Sequence, residues 1–541
     1  MEFDPVLLSR IQFAFVISFH IIFPAFTIGL AAWLATIEGM RLATGNQIYR
    51  RVFEFWLRVF ALSFGMGVVS GIVMAFQFGT NWSVLAERTG SIQGPLLGYE
   101  GFTAFLLEAT FFGVMLLGRE RVPPWFYFMA CCMVALGTMA SSFWIMANNS
   151  WMQVPVGHEI VDGKIVPADW WAITTGPVML VRWPHMLLGA FLTTGMCIIA
   201  TGAWYLLRHV HRAEGQLMLD WGLGLVAVLI PVQLWVGHLT GDYVHRHQPA
   251  KFAAIEARWH TEQPAREVLI AWPDEAQERN LLALSVPRLG SFIASGTWDS
   301  RELGLTDFPQ ADRPPVLIPF FAFRLMVGMG LVMLAIAWGG LLLRWRGRLA
   351  QARWFLWCAF LSFPSGFVAV LSGWFTAEVG RQPWVVYGLL RTADAVTPSL
   401  RGIDVLVSLV GYVLVYAVLM GFGLRYLYKL LRRGPDAPQP LPPGTTPSRP
   451  MAVAVEPDGC ILVSDQIPRL SRFSEEGKLL GRCRPVLNGG HGMARDAGGR
   501  PFVQAIPDGG WLAHSLGLAL LANEPPGVRA GGRRRGPASF R

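Results

Sequence analysis

The sequence predicts an all-α fold, a polytopic membrane protein with about nine transmembrane helices. Of its 541 residues, 53% are hydrophobic and only 15% are charged, whereas about a quarter of the residues in soluble domains are charged. The 22 Trp and 35 Phe are residue types that anchor helices at lipid headgroups and pack around flat cofactors. Apolar runs of about 20 residues, enough to cross a bilayer, recur along most of the chain.

The apolar runs and the basic residues between them predict the helices and their orientation. The nine predicted helices span residues 11–36, 55–78, 98–118, 124–147, 180–207, 219–240, 319–343, 353–378 and 402–428. Loops that follow odd-numbered helices are rich in arginine, such as Arg119 and Arg121 in the third and Arg344 and Arg346 in the seventh. Because basic loops stay in the cytoplasm, the N-terminus is predicted outside and the C-terminus inside.

Polar segments complete the predicted domain organisation. Residues 148–179 and 241–318 form two long outer loops, and long structured loops are usually functional. The transmembrane domain, residues 1–433, is followed by a proline-rich linker over 434–450. Residues 451–541 alternate apolar and polar residues around Asp-Gly and Gly-Gly turns, which predicts a weakly β-like or disordered extension.

Composition excludes several kinds of site and partner. The six cysteines form no Cys-x-x-Cys pair and no cluster with histidine, so zinc and iron–sulfur sites lack support. The net charge of +9 says little about nucleic acid in a membrane protein, and no nucleic-acid partner is expected. The first apolar run lacks a basic stretch before it and a cleavage site after it, which predicts a retained helix.

Side chains that could ligate a metal lie inside the predicted helices. Each ionisable residue there costs about 2.5–3.5 kcal/mol on insertion and is therefore a candidate for function. The predicted orientation places His20, His185, Met326 and Glu378 in the outer half of the bilayer. His185 and Met326 lie at similar depth, with Arg324 nearby, and histidine with methionine is a known axial pair of a haem. Spacing alone leaves two alternatives open, a histidine bonded to a backbone carbonyl and a methionine in core packing.

Two acids, Glu100 and Glu108, lie in the third predicted helix. In a continuous α-helix they would be separated by about 12 Å along the axis and about 80° around it. We predict that they are two stations of a proton relay. A pair of structural hydrogen bonds is the alternative.

Six stretches of residues 1–433 form one ordered pattern. They are SRIQFAFVISFH with His20, GYEGFTAFLLEAT with Glu100 and Glu108, RWPHMLLGA with His185, QPAKFAAIEARW with Lys251 and Glu256, FRLMVGMG with Arg324 and Met326, and GWFTAEVGRQPW with Glu378 and Arg381. In this order they resemble subunit I of the cytochrome bd-type quinol oxidases. The resemblance ends at about residue 433.

The resemblance implies three haems. His185 and Met326 would ligate a low-spin haem b. His20 and Glu378 would be axial ligands of the other two, a high-spin haem b and a haem d, and which residue takes which haem stays open.

The resemblance also implies roles for residues beside the haems. Arg324 and Arg381 would steady haem propionates or the anionic haem environment. Trp374 stands four residues before Glu378 on the same helix face, where its ring would pack on a haem macrocycle.

The implied reaction is oxidation of quinol and reduction of dioxygen to water. Lys251 and Glu256 would act on quinol at the outer face, and Glu100 and Glu108 would bring protons from the cytoplasm. This arrangement would generate a proton motive force without pumping. The implied partners are subunit II of the oxidase, ubiquinol or menaquinol, dioxygen, and the lipid of the bacterial inner membrane.

Two features depart from the family pattern. The outer loop over 241–318 looks like the shorter version of the cyanide-insensitive branch, so the third haem is a haem d or a further haem b. The extension after residue 433 has no counterpart in the family.

Two alternatives to an oxidase are considered. A haem b electron carrier without oxygen reduction would have no use for His20 and Glu378. A proton-coupled transporter predicts inverted repeats and broken helices, and the sequence indicates neither.

Overall fold

The computed structural model describes residues 3–435 and seven later segments. These segments are residues 450–455, 461–465, 469–474, 479–483, 490–495, 501–505 and 517–520. The chain divides into two compact units, Met1–Asp436 and Ala437–Arg541. The predicted linker over 434–450 lies mostly outside the described residues.

Nine helical spans of the described chain are long and apolar enough to cross a membrane. They are Pro5–Thr44, Gln47–Thr80, Ser83–Leu117, Pro124–Gln153, Trp170–Leu207, Arg212–His247, Leu317–Trp345, Arg353–Val379 and Gly402–Arg433. The prediction of an all-α, nine-helix membrane fold is confirmed. Several spans exceed their predicted apolar runs, because the helices continue past the apolar residues into the loops.

The first unit contains fifteen α-helices among its described residues. They are α1 (Pro5–Ile21), α2 (Pro24–Thr44), α3 (Gln47–Thr80), α4 (Ser83–Tyr99), α5 (Leu106–Leu117), α6 (Pro124–Gln153), α7 (Trp170–Thr174), α8 (Met179–Leu207), α9 (Arg212–His247), α10 (Pro249–Ile255), α11 (Leu289–Ser295), α12 (Leu317–Trp345), α13 (Arg353–Leu361), α14 (Ser365–Val379) and α15 (Gly402–Arg433). A π-helical segment, Glu100–Phe105, joins α4 to α5.

Four of the nine spans are interrupted, contrary to the expectation of unbroken helices. In the fifth span, residues 175–178 separate α7 from α8. Pro24 opens α2 directly after α1, and Pro364 separates α13 from α14. Proline has no backbone N–H and clashes with the preceding turn, so it ends or bends a helix. The third span changes from α to π geometry at Glu100, and π segments in helices occur frequently at functional sites.

Small residues bring α8 and α9 together in the centre of the bundle. A Cβ on Gly202 would lie 2.6 Å from the carbonyl oxygen of Gly215. A Cβ on Gly222 would lie 2.7 Å from the Ile199 side chain. Close backbone approach through small residues is the usual way in which membrane helices pack.

Three loops carry the strands of the first unit, namely residues 148–179, residues 241–318 and the segment between α14 and α15. The strands are β1 (His158–Val161), β2 (Lys164–Pro167), β3 (Glu267–Asp274), β4 (Arg279–Val286), β5 (Trp384–Val386) and β6 (Leu390–Arg391). They pair as three antiparallel hairpins, β1 with β2, β3 with β4 and β5 with β6. Within the second loop, α10 packs on α9 and on α12, so this loop is anchored to the bundle.

The second unit contributes seven described strands. They are β7 (Pro450–Val455), β8 (Ile461–Asp465), β9 (Arg469–Phe473), β10 (Leu479–Cys483), β11 (Gly490–Arg495), β12 (Pro501–Ala505) and β13 (Gly517–Leu520). The first four form an antiparallel sheet in the order β10-β9-β8-β7, and the last three form a second sheet in the order β11-β12-β13.

Candidate functional site

His185 and Met326 each face a glycine of a neighbouring helix. A Cβ on Gly237 of α9 would lie 3.2 Å from His185 Cε1, and a Cβ on Gly373 of α14 would lie 2.9 Å from Met326 Sδ. His185 Nδ1 is buried and has no hydrogen-bond partner among the described residues. The described residues therefore do not show the alternative of a histidine bonded through Nδ1 to a backbone carbonyl, and both close approaches are possible because the glycines have no Cβ.

His20 of α1 is oriented by α3. Its Nδ1 lies 3.0 Å from Ser70 Oγ, and Ser70 Oγ lies 2.9 Å from the Met66 carbonyl and 3.0 Å from the Gly67 carbonyl. Because the single hydroxyl proton of Ser70 goes to a carbonyl, Ser70 accepts the Nδ1–H of His20. That assignment leaves Nε2 as a free acceptor, the arrangement typical of a metal-ligating histidine.

Glu378 ends α14 inside a network of polar side chains. Its Oε1 accepts hydrogen bonds from Asn149 Nδ2 at 3.0 Å and Gln153 Nε2 at 3.2 Å, and Arg381 pairs with its Oε2. The sequence suggested a bound iron as the best partner of this carboxylate. The structure adds protein partners that come from α6, more than 200 residues away in the chain.

Three cations surround the Glu378 carboxylate. Arg182 donates to Asn149 Oδ1 at 2.6 Å and to Ser150 Oγ at 3.1 Å. Lys251 and Arg381 are 4% and 5% exposed, which matters because burial lowers the pKa of both groups. We call Arg182, Lys251, Glu378 and Arg381 the Glu378 cluster.

The Glu378 cluster has the chemistry of an anion site. Its cations outnumber its carboxylate, and Arg381 Nε and Nη1 are buried without a hydrogen-bond partner among the described residues. Buried guanidinium donors form strong, charge-assisted bonds to carboxylates. The cluster therefore fits an anionic group of a cofactor, and the haem propionates are such groups. Trp374, one turn before Glu378, is half-buried.

Lys251 belongs to the Glu378 cluster and not to an open loop. Its Nζ donates to Gln153 Oε1 at 2.9 Å, Gln248 Oε1 at 3.2 Å and the Ala377 carbonyl at 2.9 Å. Three oxygen acceptors around Nζ favour the ammonium form, while burial and the nearby Arg182 lower the pKa of Lys251.

Glu256, which directly follows α10, belongs to a second network. Arg324 Nη2 lies 2.8 Å from Glu256 Oε2 and 3.0 Å from Glu267 Oε1. The same guanidinium donates to the carbonyls of Ile255 and Val268. We call Glu256, Glu267 and Arg324 the carboxyl pair site. Lys251 and Glu256 were expected to frame one ligand, yet they contribute to two separate networks.

Glu100 and Glu108 both face α6. Ser141 Oγ donates to Glu100 Oε1 at 2.7 Å, and a Cβ on Gly137, one turn earlier, would lie 3.1 Å from Glu108 Cβ. The expected offset of about 80° assumed a continuous α-helix. The π-helical segment after Glu100 replaces that geometry, so the two acids line adjacent turns of one neighbouring helix.

Sequence reasoning missed several of these groups. Arg182 could have been identified from the sequence, because an arginine in a predicted apolar run has the same cost of membrane insertion as the ionisable residues that were singled out. Asn149, Gln153, Ser70 and Glu267 carried no local signal, because their roles depend on partners distant in the chain.

Comparisons with known proteins agree with this site. The family model for cytochrome bd terminal oxidase subunit I matches residues 8–435. The chain is 34% identical over 446 residues to cytochrome bd ubiquinol oxidase subunit 1 of Bacillus subtilis, covering 80% of this chain and 94% of that protein. It is 31% identical over 506 residues to cytochrome bd-II ubiquinol oxidase subunit 1 of Escherichia coli, covering 81% and 98%. The structure of bd oxidase from Geobacillus thermodenitrificans superimposes with a TM-score of 0.74 at 28% identity, covering 80% of this chain and 99% of that chain.

Proposed function

The chain belongs to the cytochrome bd terminal oxidase subunit I family, and from that premise we propose how its residues divide the work of the oxidase. It is a multi-pass protein of the bacterial inner membrane and a haem-binding subunit of a terminal quinol oxidase. This identity favours the oxidase over the electron carrier and the transporter considered above.

The proposed ligand set for the haems is His185 with Met326, His20, and Glu378. The first pair would hold a low-spin haem b, and the other two residues would each ligate one of two further haems. When bound, the haems supply electron transfer and the reduction of dioxygen to water. The third is a haem d or a further haem b.

The Glu378 cluster is the observation that carries this proposal. Its excess of buried cations, and two donors of Arg381 that have no partner among the described residues, favour an anion, and a haem propionate would supply one. Arg182 and Arg381 would bind propionates, with Lys251 bonded between α6 and α14. Trp374 would pack on a macrocycle.

Protons would reach the oxygen site through Glu100 and Glu108. Both acids face α6, and the positive-inside rule predicts that the end of the bundle with the arginine-rich loops faces the cytoplasm. With the N-terminus outside and the C-terminus inside, proton uptake from the cytoplasm and release outside would be electrogenic.

Quinol would be oxidised at the outer loop, over residues 241–318. Glu256 is proposed to accept a quinol proton, and Arg324 fixes its carboxylate to α12, two residues from Met326. Lys251 would orient the site from the other side of α10. Subunit II is the proposed partner in the membrane, and the quinol is ubiquinol or menaquinol.

A reduced-minus-oxidised spectrum of the purified complex, combined with pyridine haemochrome analysis, tests the proposal. It reports the number and type of haems in one measurement. Three haems, one of them low-spin haem b, are expected. A single low-spin haem would contradict the ligand set.

A further inference from the structure

One guanidinium serves two carboxylates in the carboxyl pair site. Arg324 Nη2 bonds to both Glu256 and Glu267, while Nη1 goes to the Ile255 carbonyl and Nε to the Val268 carbonyl. The Glu256 and Glu267 side chains are only 5% and 10% exposed, so water cannot screen the repulsion between them.

Two buried carboxylates beside one cation cannot both ionise freely. Like charges at short range raise the pKa of one member, and the pair then titrates as a unit. The charged groups that face Glu267 are Glu256 after α10, Arg324 of α12, and Arg258. Burial and the Glu256 carboxylate raise the pKa of Glu267 to about 8, against the opposing effects of Arg324 and Arg258.

We propose that Glu267 is a positioning residue for quinol oxidation that acts through Glu256, because the two carboxyl groups share one proton on a single guanidinium. This inference rests on the proposed role of Glu256 as proton acceptor. Glu267 does not touch quinol; the proton that it holds leaves for the outer solvent as Glu256 takes up a proton from quinol, so the pair keeps one proton throughout.

The proton and electron balance follows from the reaction. Oxidation of one quinol to quinone releases two electrons and two protons. The electrons go to dioxygen, the oxidant of the established activity, and haems, when bound, would supply that electron transfer. Each proton bonds to the ionised carboxylate of the pair as the proton already held leaves for the outer solvent, so the pair returns to its starting charge.

A purely structural role for Glu267 makes a different prediction. In that case Glu267 would only tie the start of β3 to α12 through Arg324, and a glutamine, which keeps a hydrogen-bond acceptor, would largely preserve function. A relay role requires a titrating group, which glutamine lacks and aspartate provides.

The test measures quinol turnover of the purified, haem-loaded complex from pH 6 to 9 for the wild type and for Glu267→Gln, Glu267→Asp, Glu256→Gln and Glu262→Gln. Glu262 is the matched control, an acid of the same loop that pairs with the exposed Arg266 at 3.0 Å. An artificial donor that reduces the haems directly is run in parallel, with haem spectra as the check on assembly.

The wild-type rate should rise with pH through about 8, where Glu267 loses its proton and can take over the proton that Glu256 receives from quinol. Glu267→Gln should lower quinol turnover about tenfold, the effect of impairing a proton transfer, and should remove this rise. Glu267→Asp should restore the rise and Glu262→Gln should match the wild type. Turnover with the artificial donor and the haem spectra should be unchanged in all variants.

Wild-type turnover and pH profile in Glu267→Gln, with Glu256→Gln impaired, would overturn the inference and leave the role of Glu256 intact. Normal turnover in Glu256→Gln would instead reject the proposed quinol site. If Glu267→Gln does not assemble, infrared difference spectra of the wild type decide: a protonated carboxyl band that disappears between pH 7 and 9 supports the shared proton, and its absence overturns it.

Discussion

The Glu378 cluster and the carboxyl pair site lie on two sides of one short helix and have opposite charge balance. The first gathers Arg182, Lys251 and Arg381 around one carboxylate, whereas the second gathers two carboxylates around Arg324. α10 is only seven residues long, yet it supplies Lys251 to one network and is followed directly by Glu256 in the other.

Because of this difference, the Glu378 cluster and the carboxyl pair site suit two different kinds of chemistry. An excess of buried cations binds an anion tightly and keeps it ionised, which suits the fixed propionates of a cofactor. An excess of buried carboxylates retains a proton and exchanges it, which suits a substrate that releases protons. Substitutions in the Glu378 cluster and in the carboxyl pair site should therefore have different effects.

Of the changes proposed here, Glu378→Ala should have the largest effect, because it disrupts the Glu378 cluster. Removal of the carboxylate leaves three buried cations without their acid and takes away a proposed haem ligand, so oxygen consumption should fall on the order of 100-fold or more. Spectra should retain the low-spin haem. Asp404→Ala, which removes an exposed acid paired with Arg401, is the control, and normal oxygen consumption with full haem content in Glu378→Ala would reject the ligand role.

Met326→Leu should change the low-spin haem without changing the Glu378 cluster or the carboxyl pair site. Loss of the thioether should leave that haem high-spin or absent and should reduce quinol turnover on the order of 10- to 100-fold. Arg324 and the carboxyl pair site should remain in place. Met333→Leu on the same helix, where Met333 is buried, serves as the control. An unchanged low-spin spectrum would contradict the assignment.

Glu108→Gln tests an acid that belongs to neither region. A neutral amide cannot relay a proton, so oxygen reduction and membrane-potential generation in proteoliposomes should slow about tenfold or more. Quinol binding should be unaffected. Glu120→Gln, at an exposed position, is the control; wild-type turnover and potential in Glu108→Gln would exclude the relay.

Lys251→Ala should have a smaller effect than Glu378→Ala, although both residues lie in the Glu378 cluster. The variant loses the two hydrogen bonds that join α10 to α6 and α14, and the apparent KM for quinol should rise about tenfold, as for a lost charged hydrogen bond. Haem spectra should stay normal. Lys164→Ala in β2 is the control, and unaltered quinol kinetics in Lys251→Ala would remove Lys251 from the quinol site.

Truncation after Arg433 should have the smallest effect. Every residue assigned to the two regions lies before the truncation, and the chain separates into units at Asp436. Haem content and quinol turnover should match those of the full chain. Loss of assembly in the truncated protein would show that the second unit is needed for folding.

The sequence by itself determined the membrane fold and most of the residues that carry its chemistry. Helix number follows from the length of apolar runs, which is a local property set by bilayer thickness. The ionisable residues His20, His185 and Glu378 were recognisable because a polar group inside an apolar run is costly wherever its partners lie. Six ordered motifs then indicated the family.

Only the tertiary structure decided which of these residues act together. Lys251 and Glu256, five positions apart, have partners in different networks, and Glu267 shares Arg324 with Glu256 across 57 residues of chain. The π-helical segment after Glu100 likewise replaced the expected spacing of two acids. Such pairings depend on how helices pack and on how the outer loop folds back on α12, and neither the apolar pattern nor the spacing of residues records those contacts.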